Sequence, residues 1–343
     1  MGLIDRTFYR IIVAGQDISA TLHPILLDVS VTLTSGGASD QASFTIDDTD
    51  GRVRLPRDDA DVTISLGNEA GVSEVFRGKV NDVGSSGSRS GRTLQIGCTG
   101  MDTKGKAREP QDRHYDDKTV DEILQQAAKA AGLSGVSVDA EMGKVKLGYV
   151  LQQGESFVAL GERFARMLGG TFKVAGKQAV MVKRNAGRSA SGKPLLAVKA
   201  IWGDNLISWE IEPLQARPRN KTIQTAWYDQ KAAAWKTEKK DTPDTQAKAI
   251  GRPRFAHGGK EEAKQRAASD AEESDRNKGG GTAVIQGAPQ AQPEATCTVS
   301  GARSGVDGSY LIDAVAHSLS RSGGFTTSLT LKRPGDGAGK DNR

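Results

Sequence analysis

Apolar and polar residues alternate over most of the first hundred positions. Val29, Val31 and Leu33 alternate with polar neighbours. So do Ala42, Phe44 and Ile46, then Val62, Ile64 and Leu66, then Leu94, Ile96 and Cys98. A period of two buries one set of side chains and wets the other, so each run predicts a half-buried strand. Turn chemistry separates the runs at Ser35 to Asp40 and at Gly67 to Gly71, and the Gly/Ser-rich stretch from Gly84 to Gly91 predicts a loop tip. Several strands at this spacing predict a sandwich or a closed barrel, because closure removes unpaired edges.

The period changes near residue 112. Thr119 and Glu122 form a capping box, in which each side chain satisfies an orphan amide of a helix start. Val120, Ile123, Leu124, Ala127 and Ala131 follow as one apolar stripe, and Gly132 supplies the stop. A second helix is predicted from Ser156, with Phe157, Leu160, Phe164, Met167 and Leu168 on one face and Gly169-Gly170 at its end. A hairpin follows, from Phe172 and Val174 through a turn at Gly176 to Val180 and Val182. This is a small α+β unit, without βαβ repeats.

Strands resume after a Gly/Ser-rich link from Asn185 to Lys193. Leu206 to Ile211 and then Ile223, Thr225 and Trp227 read as strands. Residues 229–281 are polar. Within them Glu261 to Lys278 predicts a helix whose apolar residues are alanines such as Ala263, Ala267 and Ala271. Such a helix buries little area and depends on ion pairs, for example Glu262 with Arg266, and on a partner surface. The closing strands are Val284 and Ile285, Thr296 to Val299, Tyr310 to Ala316, and Phe325 to Leu331, before a Gly/Asp/Lys-rich tail from Pro334. Two β regions of like kind around an α+β unit fit a distant duplication.

The length of 343 residues suggests two or three domains, and 41 glycines against 11 prolines suit a chain rich in tight turns. The net charge of +5 arises from 47 basic and 42 acidic residues that are interspersed. That balance describes a solvated surface and not the cation cluster that phosphate binding needs. Cys98 and Cys297 each sit in an alternating stretch, which predicts two buried free thiols. Met1 to Arg10 carries Asp5 and Arg6 and lacks the apolar core of an export signal. No run approaches the roughly 20 apolar residues of a membrane span. The expectation is a chain that is soluble when made.

Motifs for chemistry fail on their details. Gly187 to Lys193 looks like a phosphate loop, but Pro194 stands where a Ser or Thr would hold magnesium, and no amphipathic helix follows. Asp47, Asp48 and Asp50 before Gly51 are out of register for a calcium loop and predict a turn. His23, His114, His257 and His317 lack metal-ligand spacing. Asp116, Asp117, Asp121 and Glu122 cluster at a helix start, where acidic residues complement the helix dipole. Arg217, Arg219 and Lys221 precede Trp227 and Trp235 and do not interleave with them, as a stacking platform would. The sequence therefore nominates no catalytic, cofactor-binding or metal-binding residue.

The chain resembles the phage late control D family. The resemblance lies in Ile11 to Ala20, Leu27 to Thr32, Asp40 to Asp48, Gly51 to Pro56, Ile64 to Gly67 and Phe76 to Val80. It continues in Asp117 to Leu124, Gln153 to Ala165, Gly308 to Ser318 and Gly324 to Leu329. That family is similar to the hub part of type VI secretion spike proteins. The resemblance implies a mainly β fold with an α+β insert and two antiparallel β-barrels of tail-hub type. Residues 1–108 would be the first, tube-interacting barrel, and 109–188 the helical α+β domain. Residues 189–228 with 282–334 would form the second barrel, 229–281 a polar helical insertion, and 335–343 a frayed tail. It further implies a homotrimeric ring in a virion tail or baseplate, assembled in the bacterial cytoplasm. The ring would join the tail tube to a separate spike protein, with other baseplate proteins as further partners and no enzyme activity, membrane binding or sequence-specific nucleic acid. A tail-associated wall hydrolase is the alternative, since paired carboxylates can lie far apart in sequence. A regulatory protein that binds duplex DNA is the third reading, and no helix-turn-helix or zinc-finger spacing supports it.

Overall fold

The computed structural model describes residues 6–36, 39–69, 71–101, 105–184, 187, 194–214, 220–244 and 247–341. The first β region holds β1 (Phe8–Val13), β2 (Gln16–Asp17), the one-turn helix α1 (Ser19–Leu22), β3 (Leu26–Thr34), β4 (Gln41–Asp47), β5 (Asp61–Asn68), β6 (Gly71–Ser88) and β7 (Gly91–Thr99). The predicted alternation is visible in β4, where Ala42, Phe44 and Ile46 are buried. The Gly/Ser-rich stretch from Gly84 is not a loop. It is the far half of β6, paired with β7 until Ser88 meets Gly91. Its glycines and serines are exposed on both faces, so burial left no alternation to read.

The middle unit holds β8 (Gln111–Thr119), α2 (Val120–Ala130), β9 (Gly135–Val138), α3 (Ala140–Gly143), β10 (Lys146–Glu155), α4 (Phe157–Leu168), β11 (Gly170–Ala175) and β12 (Gln178–Lys183). The capping box at Thr119 and Glu122 forms as read, and Gly132 (φ 76°) ends the turn after α2. Ser156 caps α4, and Gly169 closes it in the left-handed region (φ 70°). β8 and β10 pair with each other and lie outside the sequence expectation: β8 is polar except at Tyr115, and the buried positions of β10, Leu147, Val150 and Gln152, keep no strict alternation.

The remainder holds β13 (Val198–Ile201), β14 (Leu206–Glu212), β15 (Asn220–Asp229), β16 (Ala234–Asp241), β17 (Ala249–Gly251), α5 (Lys260–Arg276), β18 (Gly280–Gln286), β19 (Thr296–Ser300), β20 (Gly308–Ser320) and β21 (Gly324–Lys332). One 13-stranded sheet carries both β regions, in the order β14-β18-β21-β20-β3-β4-β7-β6-β5-β1-β2, with β19 joining β20 to β13. No ladder closes either region on itself among the described residues. The two regions meet where β20 pairs with β3, and each keeps its own hydrophobic core. β15, which the sequence groups with the second β region, pairs instead with β16 and β17 in a separate small sheet. Its Ile223 packs on Ala267 and Ala271 of α5, which is the partner surface that the alanine-only helix requires. The pair Glu262 with Arg266 does not form. Glu262 faces His257, and Arg266 contacts Asp270 at 2.9 Å.

Both β regions are built on one ladder plan. β3-β4-β7-β6-β5-β1 in the first corresponds to β14-β18-β21-β20-β19-β13 in the second. The registers correspond pair for pair. Leu26↔Ile46 and Asp28↔Thr45, with a bulge between, match Leu206↔Ile285 and Ser208↔Val284, with the same bulge. Phe44↔Ile96 matches Ala283↔Leu329, and Ser86↔Thr93 matches Ser318↔Thr326. The bulge between Val80 and Asp82 recurs between Ile312 and Ala314. Only the first strand differs in direction: β1 runs antiparallel to β5, and β13 parallel to β19. Bulges set where a strand twists and which face each side chain takes, so a shared bulge pattern marks a duplicated unit.

Candidate functional site

None of the motifs weighed from the sequence assembles into a reaction centre. Gly187 is described, but Arg188 to Lys193 lie outside the described residues, as do Arg217 and Arg219. Asp47 and Asp48 make a turn: Asp47 accepts from the Thr49 amide and hydroxyl, and Asp48 from the Val53 amide. The Thr49 bonds hold the Asp47 carboxyl below its ordinary range. Asp121 and Glu122 lie in the first turn of α2, while Asp116 and Asp117 lie on β8. The four histidines are dispersed. His23 stacks on Tyr9, His114 is exposed beside Asp116, His257 faces Glu262, and His317 is buried against Thr327. Trp227 donates to Glu238 beneath Lys236, and Trp235 packs on Tyr228. Among the described residues no three metal-ligating side chains converge. Cys98 and Cys297 are free and buried, and burial pushes both thiols up to about 12.

What the structure does assemble is a set of junctions and two open edges. At the inner junction, Val29 and Val31 of β3 and Val315, His317 and Leu319 of β20 bury one face. Leu319 and Phe325, at the tip of the second region's hairpin, complete the core of the first region. Arg321 ties the same tip down by donating to the carbonyls of Leu26 and His23. Beside it lies a buried ion cluster. Arg276, at the end of α5, reaches Asp313 at 2.6 Å and Glu294 at 2.9 Å, and donates to the Ser35 hydroxyl. Lys332 adds a contact to Asp313 at 3.1 Å. Burial alone would raise the Asp313 carboxyl, but the Arg276 bond and the two cations outweigh it and hold the group below its ordinary value. Lys173 with Asp40 and Arg184 with Glu273 fasten the middle unit to the first region and to α5.

The open edges lie at the two places where the duplicated plan lacks its neighbour. Beyond Lys79, β6 has β7 on one side and no strand on the other among the described residues. β14 has β18 on one side and, among the described residues, no strand on the other. Around β14 the surface is apolar for an exposed one: Trp202 is 51% exposed, Ile207 49% and Leu214 68%. Trp202 meets Trp209 edge to face at 4.7 Å. Unpaired strand edges are templates for adding another chain, and clustered exposed apolar side chains mark contact surfaces. These edges were not legible in the sequence, because a paired and an unpaired strand show the same alternation.

Comparison with known proteins places this geometry in a family. The chain is 28% identical over 183 residues to a probable baseplate hub protein of Escherichia phage 186, covering 53% of this chain and 46% of that one. It spans about half the length of the curated relatives it matches. Its fold is that of a 43 kDa tail protein from prophage MuSo2 of Shewanella oneidensis, with a TM-score of 0.69 and 16% identity over 95% of this chain and 98% of that one. A type VI secretion component of E. coli, described as similar to T4 tail proteins gp27 and gp5, matches with a TM-score of 0.55 and 12% identity over 100% of this chain and 78% of that one. The family model for the phage tail baseplate hub (GPD) matches residues 36–323, most of the polypeptide, and the chain belongs to that family.

Proposed function

We propose that this chain is a structural hub of a contractile phage tail or related injection machine. Three copies form a ring that joins the tail tube to a separate spike protein, and other baseplate proteins attach around it. Each β region acts as one barrel-like unit, 1–108 and 189–214 with 282–334, so that three chains offer six like units to a six-fold tube. Residues 109–188 form the α+β unit, and 220–281 a strand-and-helix insertion. The chain acts by association and not by turnover, in a tail or baseplate put together in the bacterial cytoplasm. The observation that carries this reading is the shared ladder register of the two β regions. A duplicated unit lets a three-fold object present a near six-fold face. Light scattering on the purified chain, followed by negative-stain imaging, tests it. The expected result is a mass three times 36.3 kDa in ring-shaped particles. A monodisperse monomer at every concentration overturns it.

A further inference from the structure

The two regions differ most informatively in what lies beside equivalent strands. Along its far half β20 has two neighbours, β21 and β3, with Ser318 opposite Ser30, Leu319 opposite Val29 and Ser320 opposite Asp28. The far half of β6 occupies the equivalent place in the first region and, among the described residues, has only β7. β3 in turn corresponds to β14, which also has one side open. The fold thus contains one copy of a junction between its units, and the two strands that would make a second copy lie on opposite sides of it, β14 at one end of the sheet path and β6 beyond β7, followed by β5, β1 and β2. No ladder joins them within one chain among the described residues. A second chain can supply the missing partner.

We infer that the far half of β6 in one protomer adds antiparallel to β14 of the next, in the register that β20 and β3 already use. This inference rests on the hub reading above and specifies its subunit contact. Transferring the register places Ser86 opposite Glu210, Gly87 opposite Trp209, Ser88 opposite Ser208 and Gly84 opposite Glu212. The composition fits. Val83 to Ser88 contains no proline and no charge, so nothing blunts the edge as an unused edge is normally blunted. Small residues on β6 face large ones on β14: Gly87, without a side chain, stands across from Trp209. The hairpin tip carries the exposed Arg89 and Arg92, and the receiving edge the exposed Glu210 and Glu212, so the charges are opposite. The inner junction seals with Leu319 and Phe325, whereas the equivalent positions here are Gly87 and Arg92. The contact between chains is therefore more polar, and rests more on main-chain hydrogen bonds, than the contact within one. It is also heterologous, because one edge meets a different edge, and such contacts build rings when they close.

Cysteine pairs in the full chain test this register. Directly opposed residues across an antiparallel pair lie within disulfide reach. Native Cys98 and Cys297 are buried and do not compete. Under mild oxidation the Ser86→Cys, Glu210→Cys double variant is expected to give covalent multimers up to a trimer. It should give at least about ten-fold more of them than Ser86→Cys, Ile211→Cys, whose second thiol points to the other face of the sheet. Mixing the two single variants should give a covalent dimer, while neither alone should. Equal cross-linking of both double variants overturns the register. Dimers from Ser86→Cys alone show a two-fold contact and overturn the head-to-tail arrangement. A trimer by light scattering that resists cross-linking of the in-register pair overturns this contact and leaves the hub reading standing. A monomer overturns both.

Discussion

The two β regions follow the same ladder plan with different side chains. Phe44 fills the first core at the place where Ala283 stands in the second. His317 is fully buried in the inner junction, while its counterpart Ser85 is exposed on the open edge of β6. The loop between β3 and β4 is a few residues long, and the equivalent loop between β14 and β18 holds a whole small sheet and α5. Register is a property of backbone pairing and bulge position. It survives exchange of nearly every side chain, provided each face keeps its polarity. What distinguishes the regions is their neighbours, and the side chains have adapted to those.

The largest expected effect comes from breaking the device unique to the second region. Arg276→Met removes the guanidinium that bridges the buried Glu294 and the half-buried Asp313, and leaves Lys332 as the cation on Asp313. Removing one partner of a buried pair costs about 3–5 kcal/mol, which denaturant unfolding would register. Among the described residues the short loop of the first region holds no buried cation of its own, and Gly36→Ala there should cost far less.

Acid comes next. Burial lowers the pKa of His317 to about 4 from an ordinary 6.5. The unfolded chain therefore takes up the proton first. The stability this neutral imidazole leaves intact above pH 6.5 drains away as pH falls toward 4, by about 3 kcal/mol in all. His317→Leu should lose that part of the acid sensitivity, measured as the difference in unfolding free energy between pH 7 and pH 4. Ser85, at the matching position, carries no such group.

A smaller effect compares the cores directly. Ala283→Phe puts the first region's residue at the second region's matching place. Because the second core is already filled by its own neighbours, overpacking should cost about 1–3 kcal/mol in thermal or chemical unfolding. The smallest effect belongs to Ser85→Ala, within about 0.5 kcal/mol for the isolated chain, since the side chain is exposed.

Much of this architecture was legible in the sequence where burial writes a period. The strands with one wet face, the capping box at Thr119, the stripe of α4 and the stop at Gly169 all leave marks of residue type. Elements lacking such marks were missed or misplaced. β8 is polar on most positions, β10 mixes buried and exposed apolar residues without strict alternation, and the far half of β6 is Gly and Ser. The alternation of Ile223, Thr225 and Trp227 shows a half-buried strand but not which surface covers it, and that surface is the alanine face of α5. The assembly edges carry no signal of their own in one sequence. They emerge only when the two ladders are laid side by side and one junction is seen to lack its twin.

The most direct measurement is an electron cryo-microscopy reconstruction of the purified particle at strand resolution. The account predicts a three-chain ring with six strand junctions, in which β3–β20 contacts within chains alternate with β6–β14 contacts between them. A ring whose chains touch through other surfaces, or a two-fold pair joined back to back, would contradict it.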